Sequence, residues 1–471
     1  MKHLLFSLLL LLSLTGIKAQ NCNCADNFKY LTQRISKNYV GYTDKVTPLN
    51  SKQFAKFTDS LQQIANGSNA YQCLTLCRAW LDFFKDKHIT FGMAFDKLNP
   101  DSVRIFFANE EKTNWTDRSF KSYLIKNKAK LDSIEGIWST GIYEVGIVKD
   151  IKPNQFMAFV LKADSVRWMP QQVKFRLSKQ GGQYQTIYFS GGDHSEQHPT
   201  LIKDADTLDF GFFKKWVKAP KPLNTTIKNE KEIDLSPKFR VLDDETALFE
   251  MPSFGKLGYV APTTALIKKN ESILKNTKHL IIDLRNNSGG TVLVYEKLMP
   301  YLYTNPILKE GGYVLATADN IRDGYSKEYP EASDSIRNVF KKDLEKLKAH
   351  EGELYKLYPI DTIKFNTVYK NPERISFLVN RNTGSAAELF LLEAKQSKKV
   401  KIYGENSSGS IDYVEVITIK MPCSFYTLYY PACKSLRLPD YPLDNIGIKP
   451  DVAIPSNVTD WIDFVKKYKG K

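Results

Sequence analysis

RISFLVNRNTGSAAELFLLEAKQ, residues 374–396, decides how the chain is read. The run RISFLVN is apolar and rich in β-branched and aromatic side chains, which predicts a strand. Asn382–Thr383–Gly384 carry turn chemistry. From Ser385 an apolar stripe at helical spacing begins, and Ser385 followed three residues later by Glu388 fits a capping box. In that reading the serine only starts a helix. A serine at the first turn of a helix also sits at the positive end of the dipole, where a developing oxyanion is stabilised. Ser385 is therefore a candidate nucleophile as well as a candidate cap.

The same alternation extends on both sides. ALFEMPSF (247–254), HLIIDLRNNSGG (279–290) and KVKIYGE (399–405) read as strands, the second entering a glycine turn. TTALIKKNESILKN (263–276) and VLVYEKLMPYLYT (292–304) read as helices. Such βαβ succession predicts an α/β core with right-handed crossovers over residues 239–460. Residues 318–360 form a charged insertion, with a helix expected around SDSIRNVFKKDLEKLKAH (333–350). Gly289 and Gly290 stand just past a strand, where bare backbone N–H groups can approach a ligand.

Upstream the pattern changes. NFKYLTQRISKNY (27–39) and AYQCLTLCRAWLDFF (70–84) have helical spacing, so residues 20–98 are expected to be a helical domain. Residues 99–218 are expected to be a small antiparallel β domain, from segments such as GIYEVGIVKD and VKFRLSKQGGQYQTIYFSG. The carboxylate-binding loop of a PDZ module is not visible there. Residues 219–238, polar and proline-bearing, read as a linker.

At the N-terminus Lys2 and His3 precede LLFSLLLLLSLTGI, with Ala19 at the expected cleavage point. Residues 1–19 read as a secretory signal peptide, whose apolar run is too short for a membrane span. An exported chain is implied, periplasmic, cell-surface or secreted, with no integral membrane segment after processing. Of 471 residues, 42% are hydrophobic and 25% charged, the proportions of a folded globular protein. The formal charge of +15 is spread along the chain, and no zinc finger, RNP motif or basic recognition helix suggests nucleic acid.

Six cysteines remain after processing: Cys22, Cys24, Cys73, Cys77, Cys423 and Cys433. An even number in an exported chain suggests disulfides. Cys73 and Cys77 share a helix face, and Cys22 and Cys24 share one side of an extended segment. The economical proposal is two bridges between these pairs, with Cys423 and Cys433 closing a hairpin. The rival is a zinc site built from the first four.

Four motifs occur in order: DLRNNSGG (283–290), LVNRNTGSAAELF (378–390), IYGENSSG (402–409) and DNIGIKPDVAI (444–454), with a weaker echo at LDFFKDKHITF (81–91). Together they resemble the C-terminal-processing and tricorn-core serine peptidases of the tail-specific protease superfamily. The resemblance covers roughly residues 245–455. It implies a ClpP/crotonase-like α/β core and peptide hydrolysis through an acyl-enzyme. Ser385 falls on the nucleophile, and Ala386 with the Gly289–Gly290 turn falls on the oxyanion hole. The processing-protease branch places a lysine where this chain has Ser410. The tricorn-like branch instead uses a histidine after an N-terminal helix and a glutamate near the C-terminus. His88 falls on the histidine, within Asp86-x-His88, and Asp444 on the glutamate, one methylene shorter. Lys87 stands where the tricorn arrangement has a serine.

His88 is also the most promising histidine on its own terms, because it follows an amphipathic helix and enters an apolar strand. The bland alternative is a helix-end histidine favoured by the dipole. His194 and His198 lie in a polar loop without the rigid helix a metal pair needs, His279 precedes a buried strand and His350 is in the insertion. Pro450 and Asp451 read as turn-holding residues. The resulting expectation is an exported serine peptidase acting on peptides or unfolded protein, with no metal or organic cofactor required. The rival is a catalytically degenerate relative that binds peptides or small hydrophobic ligands.

Overall fold

The structure is a computed structural model that describes residues 23–180, 183–199, 201–210, 214–219 and 235–468. The expected signal peptide, Cys22 and most of the expected linker lie outside the described residues.

The α/β core is a six-stranded sheet. Its order is Lys238–Val241, Thr246–Glu250, His279–Asp283, Arg374–Val379, Val400–Gly404 and Val452–Ala453. The first pair is antiparallel and every later pair is parallel. The parallel strands carry buried apolar runs, Leu280–Ile282 and Phe377–Val379 among them, because both faces are covered. On one face Phe249, Ile282 and Phe377 pack against Phe390 and Leu391 of the helix Ala386–Ala394. On the other, Leu248, Ile281 and Leu378 pack against Trp461 and Val465. Asp451 fastens the last strand by accepting the Ile402 N–H at 2.8 Å, a contact to the neighbouring strand rather than within a turn.

Two expected helices differ. Residues 263–276 break at Asn270 into Val260–Lys269 and Glu271–Asn276. Residues 292–304 become two short 3₁₀ turns and the single turn Met299–Leu302. Pro300 sits at the start of that turn, where its missing N–H does no harm, and an unbroken helix through it would lose a hydrogen bond. The insertion helix runs Asp334–Ala349, capped by the Ser333 hydroxyl.

Residues 136–218 build a nine-stranded sheet, mostly an antiparallel meander, with Trp138, Phe175, Tyr188 and Trp216 in its own core. The helices Pro100–Phe106 and Asp117–Lys126 precede it, started by Asn99 and Thr116 caps, so the first part of the 99–218 span is helical.

The N-terminal helices Cys24–Asn38, Ser51–Ala65 and Ala70–Leu81 do not bury their apolar faces only against one another. Phe28, Leu31, Trp80 and Phe84 share one core with Ile417, Tyr426, Leu428 and Tyr430 from the antiparallel strands Tyr413–Lys420 and Tyr426–Ser435. The strand Thr90–Met93 joins that sheet directly, Thr90 opposite Tyr429 and Met93 opposite Tyr426. This pairing carries the residues just before Thr90 to the core.

The cysteines follow the sequence proposal only in part. Cys24 and Cys73 form a disulfide. Cys77 is a buried free thiol, so the second bridge to that helix is absent. Cys433 is also free and buried, while Cys423 is disulfide-bonded. The hairpin bridge Cys423–Cys433 therefore does not form. With Cys24 and Cys73 oxidised to each other, neither is a thiolate ligand for zinc.

Candidate active site

Ser385 is the residue on which the strand Arg374–Val379 turns into the helix Ala386–Ala394, and its backbone is unusual, with φ 54° and ψ −124°. An ordinary N-cap is extended. A non-glycine residue in such a region costs about 1–3 kcal/mol and persists only where its surroundings over-determine it.

Those surroundings centre on Glu388, which is fully buried. One carboxylate oxygen accepts the Ser385 N–H at 3.0 Å and the Ser410 N–H at 2.9 Å. The other accepts the Gly409 N–H at 2.8 Å and the Ser407 hydroxyl at 2.5 Å. The turn 284–290 supplies the second brace. Gly384 donates its N–H to the Asn287 carbonyl, and Thr383 donates its hydroxyl to the Leu284 carbonyl. Asn286 and Asn380 exchange two hydrogen bonds, at 3.0 and 2.9 Å.

Gly289 lies hard against the serine. A Cβ on it would come within 2.6 Å of Ser385 Cβ and 2.7 Å of Ala386 N, and its φ is +93°. Its own N–H is held by Asn287 Oδ1 at 2.9 Å. That narrows the expected oxyanion donors. Among the described residues, the N–H groups of Ala386 and Gly290 donate to nothing.

His88 arrives on the loop after the third N-terminal helix. Lys85 takes a left-handed conformation there. Asp86, buried, accepts the His88 N–H at 2.8 Å with one oxygen and the Tyr39 hydroxyl at 2.9 Å with the other. Asn445 donates to the Lys85 carbonyl at 2.7 Å, and Lys87 donates to the Ser408 carbonyl. Lys87, a departure from the tricorn pattern, thus ties this loop to the 407–410 turn that Glu388 also holds.

Burial pushes the His88 imidazole below its ordinary pKa; the Tyr413 carbonyl and the Glu388 charge work in the opposite direction. The ring is therefore neutral near pH 7, the form a general base requires. Its Nδ1 is buried without a hydrogen-bond partner. Asp444 accepts the Ile411 and Asp412 N–H groups, each at 2.8 Å, through Oδ1, while its Oδ2 is buried and bare. Burial raises its pKa, the neighbouring Asp412 charge adds to the rise, and the two backbone donors oppose it. Burial, followed by the Asp444 charge, lifts Asp86 to about 7. No hydrogen bond joins His88 to Ser385 or to Asp444 in this structure.

The other described histidines are occupied elsewhere. His279 lies between Ser376 and Arg374 at 2.8 Å from each. His194 is stacked between Trp168 and Phe107, His198 meets the Thr186 carbonyl, and His350 meets Glu353. The sequence reading took Glu388 only as the partner in a capping box and Asp86 only as motif context. The signal for Glu388 was its place three residues after Ser385; nothing local marked Tyr39 or Tyr413 as neighbours of Asp86.

Residues 245–454 match the family described as Peptidase family S41. A protein of Chlamydia trachomatis serovar D is 23% identical over 228 residues, covering 41% of this chain and 38% of its own length. The chain thus spans about two-fifths of the length of that relative. Among solved structures, a mutant of CPAF is similar with a TM-score of 0.52, at 12% identity over 94% of this chain and 96% of that one. Mature CPAF complexed with lactacystin is similar with a TM-score of 0.50, at 14% identity over 94% of this chain and 97% of that one. At such identities the structures establish a shared fold.

Proposed function

Residues 245–454 belong to peptidase family S41, and from that premise we propose that the chain is an exported serine peptidase in which Ser385 is the nucleophile and His88 its base. The observation that carries the reading is the backbone of Ser385, held at φ 54° against Gly289 with two unspent N–H groups, of Ala386 and Gly290, beside it. A strained serine on a sharp strand-to-helix turn presents its hydroxyl outward.

In this reading Ser385 Oγ attacks the peptide carbonyl carbon as His88 takes its proton. The oxyanion is received by the Ala386 and Gly290 N–H groups at the positive end of the helix. Collapse breaks the C–N bond, and the protonated His88 gives its proton to the leaving amine. Water, deprotonated by His88, then attacks the acyl carbon, the bond to Ser385 Oγ breaks, and His88 returns the proton to Ser385 Oγ. Asp444 Oδ2 and His88 Nδ1 are both buried and unpaired. A hydrogen bond between them on substrate binding would satisfy both and stabilise the imidazolium, since apo sites are often loosely aligned.

The lack of a hydrogen bond from His88 to Ser385 or to Asp444 is what favours the second reading, a binder on the peptidase fold. Peptidase profiling with a mixed peptide library separates the two. The wild type is expected to cleave, with cleavage lost in Ser385→Ala and strongly reduced in His88→Ala. Intact peptides in all three samples would support the binder.

A further inference from the structure

A cavity of about 390 Å³ lies between the nine-stranded sheet and the α/β core, a volume suited to a small ligand or a few residues of peptide. Its core wall includes Arg285, Arg381 and Glu405. Each follows the C-terminal end of a parallel strand, His279–Asp283, Arg374–Val379 and Val400–Gly404 respectively. Ligands of open α/β sheets bind outside such strand ends. Arg285 and Arg381 also belong to the turns that continue to Gly290 and Ser385. The facing wall is the strand pair Val173–Gln180 and Gln183–Phe189, with Lys203 beside it.

The cations on this surface are weakly committed. Arg381 meets Glu405 only at 3.4 Å, and Lys179 meets Asp132 only at 3.8 Å. Lys203 Nζ reaches the carbonyl of its neighbour Asp204 at 3.4 Å. Arg285 is the exception, tied to Asp283 at 2.6 Å. Thr186 lines the cavity with its hydroxyl buried and without a partner. A buried hydroxyl left so is costly unless something fills it. With Glu405 in the wall and Arg285 already neutralised, the remaining charge suits a carboxylate monoanion better than a phosphate dianion.

We propose that this cavity binds a carboxylate of the peptide substrate, through Arg381, Lys203 and Lys179 with the Thr186 hydroxyl, at a place separate from the scissile bond. It rests on the peptidase reading for the ligand's being substrate. An Asp or Glu side chain and a free C-terminal carboxylate offer the same chemistry, since guanidinium and ammonium groups grip either. An occupant pulling on Arg381 acts on the turn that holds Ser385, so an acidic peptide is both retained and coupled to the site.

The test uses the full chain carrying Ser385→Ala, so that binding is read without hydrolysis and stands or falls apart from the nucleophile assignment. Fluorescence anisotropy compares three labelled hexapeptides: one capped at both ends with two Glu residues, its Gln counterpart, and the Gln peptide with a free C-terminus. At least one carboxylate peptide is expected to bind about tenfold more tightly than the capped Gln peptide. That preference should fall to near unity in Arg381→Gln and, separately, in Lys203→Gln, both substitutions of surface cations whose folding is checked by circular dichroism. The first two peptides differing, or the last two, assigns the source as side chain or chain end. Equal affinity for all three peptides, or a preference unchanged by both substitutions, overturns the proposal.

Discussion

The carboxylate of Glu388 accepts the backbone N–H of Ser385 at 3.0 Å from a fully buried position, while its other oxygen holds the Ser407 hydroxyl and the Gly409 N–H. One side chain thus fixes the serine's strained backbone to the turn 407–410, against which Lys87 docks the His88 loop. The donors around Glu388 come from two places in the chain, Ser385 and the turn 407–410, that only the folded core brings together.

Replacing Glu388 by Ala leaves several buried donors unpaired. The expected loss is about 3–5 kcal/mol of unfolding free energy, read as a fall in the urea midpoint at unchanged slope. A loss under about 1 kcal/mol would mean that water replaces the carboxylate without consequence. Glu388→Gln keeps the shape but brings donors of its own, so an intermediate loss is expected.

Gly289→Ala forces a methyl into a space where Ser385 Cβ stands 2.6 Å away and the backbone has φ +93°. Either the serine or the turn must shift. Turnover is expected to fall about a hundredfold, the usual consequence of roughly 1 Å of misplacement, with KM changed little. Retained turnover at full Tm would show that the Gly289 contact does not position the site.

Asp86 and His88 give opposite pH dependences, and their signs follow from the directions of shift. The folded-state pKa of Asp86 is raised from 3.8 to about 7. The folded protein therefore holds more protons than the unfolded chain in that window, and this contribution falls as pH rises from about 4 to about 7. His88 is lowered from 6.5. Its unfolded form binds more protons, so its contribution rises with pH up to about 6.5. Asp86→Asn removes only the first. The stability difference between wild type and Asp86→Asn is expected to change across pH 4–7 with a slope of at most about 1.4 kcal/mol per unit, read by denaturant titration at each pH. A pH-independent difference would contradict the raised carboxyl. For catalysis, the lowered His88 places the acid limb of kcat/KM below pH 6.5.

The Cys24–Cys73 bridge closes a separation of 49 residues. Loss of it in Cys73→Ser is expected to cost about 4 kcal/mol on chain-entropy grounds. Cys77, buried and free, should react with a maleimide only after unfolding; fast labelling of the native protein would contradict its burial.

The α/β core was legible because its strands are short apolar runs and its turns carry Gly and Ser at positions that local chemistry requires. Ser385, Gly289 and Gly290 were found that way, and the structure brings them together. The helix over 292–304 was misread because its apolar spacing masked the effect of Pro300. The hairpin bridge was misread because pairing by proximity in sequence ignores that Cys423 lies beside Asn27 of the first helix, which bonds its backbone and sulfur. The shared core of the N-terminal helices and the strands near residue 426 could not be seen locally at all, since it is a contact between segments hundreds of residues apart. That contact positions His88, which the family resemblance and its place between an amphipathic helix and an apolar strand had marked without showing what it packs against. The cavity cations Lys179, Lys203 and Arg381 were invisible for the same reason.

The central claim is that Ser385 is an activated nucleophile. Treatment with a fluorophosphonate probe, followed by intact-mass and peptide mapping, tests it most directly. The predicted result is a single adduct on the peptide containing Ser385, absent from Ser385→Ala and slowed strongly in His88→Ala. Equal labelling of wild type and Ser385→Ala, or an adduct mapped to another residue, would contradict it.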